Sequence, residues 1–389
     1  MDQDELWRDL RALRQDLHAH PEFGFEEART AARLAARLRQ AGLEVAEGIG
    51  GTGLVATLRR GEGPAIALRA DMDALRIAER SNLPHASRRE GLMHACGHDG
   101  HSAMLLGAAL LLAAEGGFRG TVRFLFQPAE EWGRGALAML QDGLLQRFPF
   151  EEIHGLHNWP GLPVGQLRTR PGPVMSAEDN FEILLRGQGG HASRPQAGRE
   201  VLLAACATVV ALQSIVARRL DPAETAVVSA TELLTDGTRN VLPGEARILG
   251  DARSFRPEVS AGIEAWLRRI AEGTAAAHGC TAEVTYSREF VPTINDPAAT
   301  ATALAAARDA LGEGQVALLE APHTGSEDFA RFLAHVPGCF AFLGNGEESA
   351  PLHNPAYDFN DAALPHGVRY FAALVRRRLP ADPPASVGG

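Results

Sequence analysis

Short apolar runs alternate with helix-periodic stretches along the first 160 residues, and acids and imidazoles gather where the runs stop. "GLVATLRR" and "AIALRADMDAL" read as strands on either side of a Gly-Pro turn, the second ending near Asp71 and Asp73. "TVRFLFQPAEE" is a strand broken at Pro128, with Glu130 and Glu131 just beyond it, and "IHGLHNWP" ends at His157 and Asn158. Amphipathic helices are expected over 4–18 and 26–41, and a buried helix in "HSAMLLGAALLLAAEGG". The pattern predicts an α/β fold with a mixed central sheet and helices on both faces. In open α/β sheets the ligand crevice lies outside the carboxyl ends of the strands, where these polar residues fall.

Beyond residue 175 the texture changes. "FEILLRG", a helix over 199–219, "TAVVSATEL", "EARILGDARSF", a helix over 258–277 and "AEVTYSREF" follow in the order β-α-β-β-α-β. That order predicts a ferredoxin-like α+β domain, residues 178–294, inserted into a first domain of residues 1–177 and 295–389. The first pattern resumes with a helix near 298–312, "HTGSEDFA", "CFAFLGNG" and "PLHNPAYDF". The last ten residues, rich in Pro and Ser, read as a frayed tail.

Composition removes several functions. All 38 basic residues are arginine, so a lysine Schiff base and a Walker-type phosphate loop are both excluded. A net charge of −10 without a basic run argues against nucleic acid or an anionic membrane as partner. No apolar run approaches the roughly 20 residues of a membrane span, and the charged N-terminus has no signal-peptide core. Four dispersed cysteines are too few for a disulfide framework in a chain of 389 residues, so a reduced, cytoplasmic protein is expected.

"GLMHACGHDGH", residues 91–101, concentrates Cys96, His94, His98, Asp99 and His101 in one stretch. A cysteine nucleophile is disfavoured, because catalytic Cys and His usually meet only through the fold. A structural zinc site would need a second Cys/His pair, which is missing. A two-metal site uses more of the chain: Cys96 and His98 on one turn, Glu130 and Glu131, His157, and His353 in "PLHNP". These soft, borderline and hard donors suit Zn²⁺ or Mn²⁺, and a pair of such cations generates a nucleophile from water near neutral pH.

Seven motifs in order, "RADMDAL", "HACGHDGH", "QPAEE", "GLHNWPGLPVG", "GGHASRP", "NVLP" and "SEDFA", resemble the bacterial and plant N-acyl-amino-acid amidohydrolases. That group includes the hippurate and indole-acetyl-amino-acid hydrolases, a branch of the di-metal aminoacylase and carboxypeptidase family. The resemblance runs from about residue 10 to 375. It implies two divalent metals, Zn or Mn with Co or Ni as alternatives, held by Cys96, His98, Glu131, His157 and His353. It implies Glu130 as general base and acid, and His191 as oxyanion donor. Asn240 and Arg253 would hold the substrate's α-carboxylate. The inserted domain would be a lid that also forms a homodimer. The substrate would be an N-acyl amino acid, with a small-peptide carboxypeptidase or dipeptidase as the rival activity.

Related carboxypeptidases carry a His-x-Asp at the end of an early strand; here Arg69-Ala70-Asp71 stands there, and Asp71 is expected to orient ligands rather than bind metal. Two further departures are Arg76, where the family has proline, and Glu200-Val201, where it has Asp-Pro. His18 and His20 are expected at the surface or in packing, and His94 and His101 as supports of the ligand turn. Cys206, Cys280 and Cys339 are expected to be buried thiols.

Overall fold

In the computed structural model, which describes residues 2–381, the chain divides into two units. The first runs to Val174, takes in Ile294–Ala321 and resumes at Asp328; the second comprises Met175–Thr293 and Pro322–Glu327. The tail expectation lies almost wholly outside the described residues.

The first unit is built on an eight-stranded mixed sheet. Its order is Glu44–Ile49, Gly53–Arg60, Gly120–Gln127, Ala65–Asp71, Glu152–Pro160, Gly338–Gly346, Leu167–Thr169 and Val316–Leu318. The four central strands run parallel to one another, so they end on the same edge. Every residue of Gly120–Gln127 is buried, which explains an apolar run with no alternation. Along Gly338–Gly346, Cys339, Ala341 and Leu343 enter the main hydrophobic core, while Phe340 packs against Phe329 and Phe342 against Trp159.

The helix His98–Glu115 is buried continuously from His98 to Leu112 and touches the helices Gln3–Ala19 and Leu364–Arg378. Its first turn starts beyond Gly97, whose φ of 92° favours glycine. Gly100 in that turn lies against a ring: a Cβ added there would sit 2.2 Å from Phe359 Cδ2. Gly100→Ala should therefore cost about 1–3 kcal/mol by overpacking. Gly262→Ala, in the helix Pro257–Ala277 with open space around the new Cβ, should instead gain roughly 0.5–1 kcal/mol from helix propensity. Thermal unfolding of the two variants checks the contrast, and equal Tm shifts would refute it.

The second unit has a four-stranded antiparallel sheet, ordered Ala226–Thr235, Glu245–Ser254, Ala177–Arg186 and Thr281–Phe290. Phe181, Ile183 and Leu185 alternate inward from one strand, Ala246 and Ile248 from the next. They meet the helices Val201–Leu212 and Pro257–Ala277, whose Ile263, Leu267, Ala271 and Ala275 recur at helical spacing.

One expectation is corrected. Cys206 is exposed, because the helix "VLLAACATVVAL" is apolar on every face and buries only Val201, Ala204, Ala205, Thr208 and Leu212. Of the two alternatives for His18, surface or packing, the fold takes packing: it is completely buried, 2.9 Å from Asp99 and 3.3 Å from Glu79. Burial alone would lower its pKa, but the hydrogen bonds to the two carboxylates outweigh it and hold His18 up to about 9. Among the described residues no helix is long and apolar enough to cross a membrane.

Candidate metal centre

The common edge of the four parallel strands collects the donors. Asp71 closes one strand, Gln127 leads into the Glu130-Glu131 turn, and His157 lies near the end of a third. The Cys96–His98 turn carries two donors, because Gly97 in the left-handed region reverses the backbone between them. His353 and Ala129 hold left-handed backbone as well, with φ of 62° and 47°. Such residues cost on the order of 1–3 kcal/mol each and persist only where surrounding contacts impose them. The His353 N–H donates to Ala95 C=O at 2.8 Å, and the Ala129 N–H to Glu27 Oε1 at 2.9 Å.

Of the groups of donor atoms that lie within 4.8 Å of one another, three hold the expected ligands and Glu130: Cys96 with His98 and His157, Cys96 with Glu131 and His353, and His98 with Glu130 and Glu131; Asp71 forms a further one with His98 and His101. Cys96 Sγ is 3.4 Å from His157 Nε2, and His353 Nε2 is 3.4 Å from Glu131 Oε2. The structure thus brings together all five residues expected as ligands, with Glu130 beside them.

The orientation of the rings follows from their other nitrogens. His98 Nδ1 is 3.2 Å from Asp73 Oδ1, and His157 Nδ1 donates to Asn158 C=O at 2.7 Å. Each contact leaves Nε2 as a lone pair aimed at the centre. His98 Nε2 and Glu131 Oε1 are buried without a hydrogen-bond partner. A buried acceptor pair of this kind is costly unless a cation satisfies it, so the donor set fits divalent metal.

The electrostatics agree. Burial and the Glu131 and Glu130 carboxylates push the Cys96 thiol well above its usual range, so thiolate here needs a neighbouring cation. Burial opposes protonation of His98, yet Asp71, Asp73 and Glu131 outweigh it and hold His98 up to about 10. Burial and His101 drive His157 the other way, well below its usual value.

Asp71 accepts from Arg69 Nη1 at 2.7 Å and lies 2.6 Å from His101 Nδ1; the Asn158 N–H donates to His101 Nε2 at 3.0 Å. Asp71 therefore orients His101, which braces the segment of His157. His94 is buried with neither ring nitrogen hydrogen-bonded, and burial pushes its pKa down to about 4. Arg76 stacks its guanidinium 4.1 Å above the Phe23 ring.

Sequence reasoning missed Asp73, which holds His98 through Oδ1 and accepts the Glu131 N–H at 3.1 Å through Oδ2. One carboxylate thereby orients two donors. The available signal was its place two residues past Asp71 at a strand end. Also missed was Asp328, whose carboxylate binds buried Arg69 at 3.2 Å and whose N–H reaches Glu130 Oε1 at 3.4 Å.

The second unit holds the remaining candidates. The His191 strand pairs with Val241–Leu242, and the Ala192 N–H donates to Asn240 C=O, so His191 and Asn240 are neighbours. The Ser193 N–H donates to His191 Nδ1 at 3.1 Å, which places the proton of the neutral ring on Nε2. Arg253 donates through Nη1 to Ser326 Oγ at 2.6 Å and through Nε to Asp251 Oδ1 at 2.8 Å, with Glu178 Oε2 2.9 Å away.

A parallel-stranded α/β core that ends its strands on such a donor set defines a metal-dependent amidohydrolase. The chain belongs to peptidase family M20/M25/M40, whose profile matches residues 67–377. It is 39% identical over 366 residues to an N-acetylcysteine deacetylase of Bacillus subtilis, covering 93% of this chain and 94% of the relative. It is 37% identical to the hippurate hydrolase of Campylobacter jejuni, covering 96% and 98%. Among solved structures, a dinuclear metal-binding peptidase of the M20 family from Bacillus subtilis superposes with a TM-score of 0.86 at 36% identity, covering 96% of this chain and 98% of that one.

Proposed function

We propose that this chain hydrolyses the amide between an acyl or aroyl group and an amino acid, releasing a carboxylic acid and the free amino acid. The observation that carries the reading is the pair of donor groups that share Cys96, with Glu130 in a third group beside His98 and Glu131. Cys96, His98, Glu131, His157 and His353 would hold two divalent metals, Zn or Mn first and Co or Ni as alternatives. Bound there, they would polarise the amide carbonyl and acidify a water.

Glu130, buried and hydrogen-bonded by the Asp328 N–H, takes the water's proton on its carboxylate and returns it to the departing amine. The carbon–oxygen bond forms first and the carbonyl oxygen becomes an oxyanion; the C–N bond breaks as that oxyanion collapses and the amine takes the proton from Glu130. His191 donates from Nε2 to the developing oxyanion, a contact worth about 10²–10³ in rate. Asn240 and Arg253 hold the α-carboxylate, which must compete for the guanidinium with Asp251, Glu178 and Ser326.

The second unit is proposed as an inserted ferredoxin-like lid, supported by its strand–helix–strand–strand–helix–strand order around one antiparallel sheet. It is also proposed to join two copies of the chain. Supporting this are exposed Leu202, Leu203 and Val210 on one helix, and Leu233 and Leu234 on the edge strand Ala226–Thr235. Sedimentation equilibrium should read twice the chain mass, and a single-chain mass would contradict the dimer. A cytoplasmic location is supported by four free cysteines.

The test of the activity is release of free amino acid from hippurate, N-acetyl amino acids and dipeptides, with added Mn²⁺ or Zn²⁺ and after chelation. Metal-dependent release from the acyl compounds supports the reading; cleavage of dipeptides alone transfers the assignment to a peptidase.

A further inference from the structure

We infer that the acyl end of the substrate is read by Trp159 and Leu352, and that the pocket they frame takes an aromatic acyl group in preference to acetyl. This rests on the amidohydrolase reading above. A cavity of about 420 Å³ in the first unit is lined by Trp159, Pro160, Gly161, Ser349, Pro351 and Leu352.

Both of its walls are extensions of donor-bearing segments. Trp159 follows His157 by two residues on one strand, so the two side chains share a face of the sheet. Their rings stand 6.4 Å apart, and Phe342 braces the indole edge-on at 5.0 Å. On the opposite wall Leu352 immediately precedes His353, whose Nε2 lies 3.4 Å from Glu131 and whose N–H is tied to Ala95 beside the Cys96 turn. The cavity is thus framed by neighbours of two proposed ligands, His157 and His353.

The lining selects by chemistry. It contains no charged side chain, and Ser349 supplies its one hydroxyl, so a charged acyl chain would find no counter-charge there. An acetyl group offers one methyl and leaves most of the space to water. An aryl ring can lie against the indole and Leu352, burying apolar area and gaining an aromatic contact. Cavities of this size are typical of small-molecule sites.

The test measures kcat/KM for hippurate and for N-acetylglycine on the metal-loaded enzyme, with inhibition by benzoate and by acetate as a second readout. Hippurate should be preferred by about 10- to 100-fold, and benzoate should inhibit more strongly than acetate by a similar factor. In Trp159→Ala the preference should fall by about tenfold in both readouts, and Trp159→Phe should keep most of it. Leu352→Trp, which fills the cavity, should also lower the hippurate to N-acetylglycine ratio. Cleavage of N-acetylglycine with equal or greater efficiency than hippurate overturns this inference alone. So does a ratio untouched by both Trp159→Ala and Leu352→Trp. No metal-dependent release from any acyl amino acid overturns the activity reading and this inference with it.

Discussion

Glu130→Gln should lower kcat for acyl-amino-acid hydrolysis by about 10³-fold, within the 10²–10⁴ range of a positioned acid–base group. Metal content should be unchanged, because all five proposed ligands, Cys96, His98, Glu131, His157 and His353, are kept. The variant is close to isosteric, and its amide oxygen can still accept the Asp328 N–H, so folding should be preserved. What disappears is a carboxylate that can take a proton from water and deliver it to the amine. The loss should therefore fall on kcat with little change in KM. Steady-state kinetics beside metal analysis checks this, and a kcat within tenfold of the parent enzyme would remove Glu130 from the reaction.

Cys96→Ala should be as severe for a different reason. Cys96 belongs to two of the donor groups, so its removal weakens both metal positions at once. Losing an orienting neighbour of a metal ligand typically costs 10–100-fold in affinity or activity, and losing a shared ligand should exceed that, with at least about 100-fold weaker metal binding. Metal retained after dialysis is the readout. Unaltered retention would show that the thiol is no ligand. Asp73→Asn provides the milder case: it leaves every donor in place but weakens the hold on His98 Nδ1, and should fall inside the 10–100-fold range.

The sequence made some of this legible and not the rest, for identifiable reasons. The helix Pro297–Leu311 announces itself through Asp296, whose side chain caps the first turn, and the proline that follows. The helix Gln3–Ala19 shows its buried stripe of Leu6, Leu10, Leu13 and Leu17. On that same face lie Arg14 and His18, which a hydropathy pattern places outside. Their burial depends on acids far along the chain: Asp99 for His18, and Asp99, Asp358 and Asp361 for Arg14. Long-range ion pairing of that kind leaves no local period. The helix Val201–Leu212 fails in the opposite way, since uniform apolarity hides which side meets the core, and Cys206 falls on the open side.

At the candidate site, residue type and position carried most of the information. Cys-x-His across a glycine, paired glutamates after a strand and a histidine at another strand end were visible as donors before any coordinates. Asp71 and Asp73 look alike in sequence, and only the backbone turn after Asp71 decides that one meets Arg69 and His101 while the other spans His98 and Glu131. The segment Pro322–Glu327 groups with the second unit through contacts such as Ser176 Oγ to Thr324 C=O and Arg253 to Ser326, and nothing in its own composition says so.

Amide hydrolysis by this chain should depend on two metals held by this donor set. That dependence is tested most directly by stripping the protein with chelator, titrating back Mn²⁺ or Zn²⁺, and following bound metal per chain together with amino-acid release from N-acyl amino acids. Saturation is expected at about two metals per chain, with activity rising as they bind and absent from the stripped protein. Undiminished hydrolysis by the stripped protein, or metal uptake unaffected by Cys96→Ala, would contradict it.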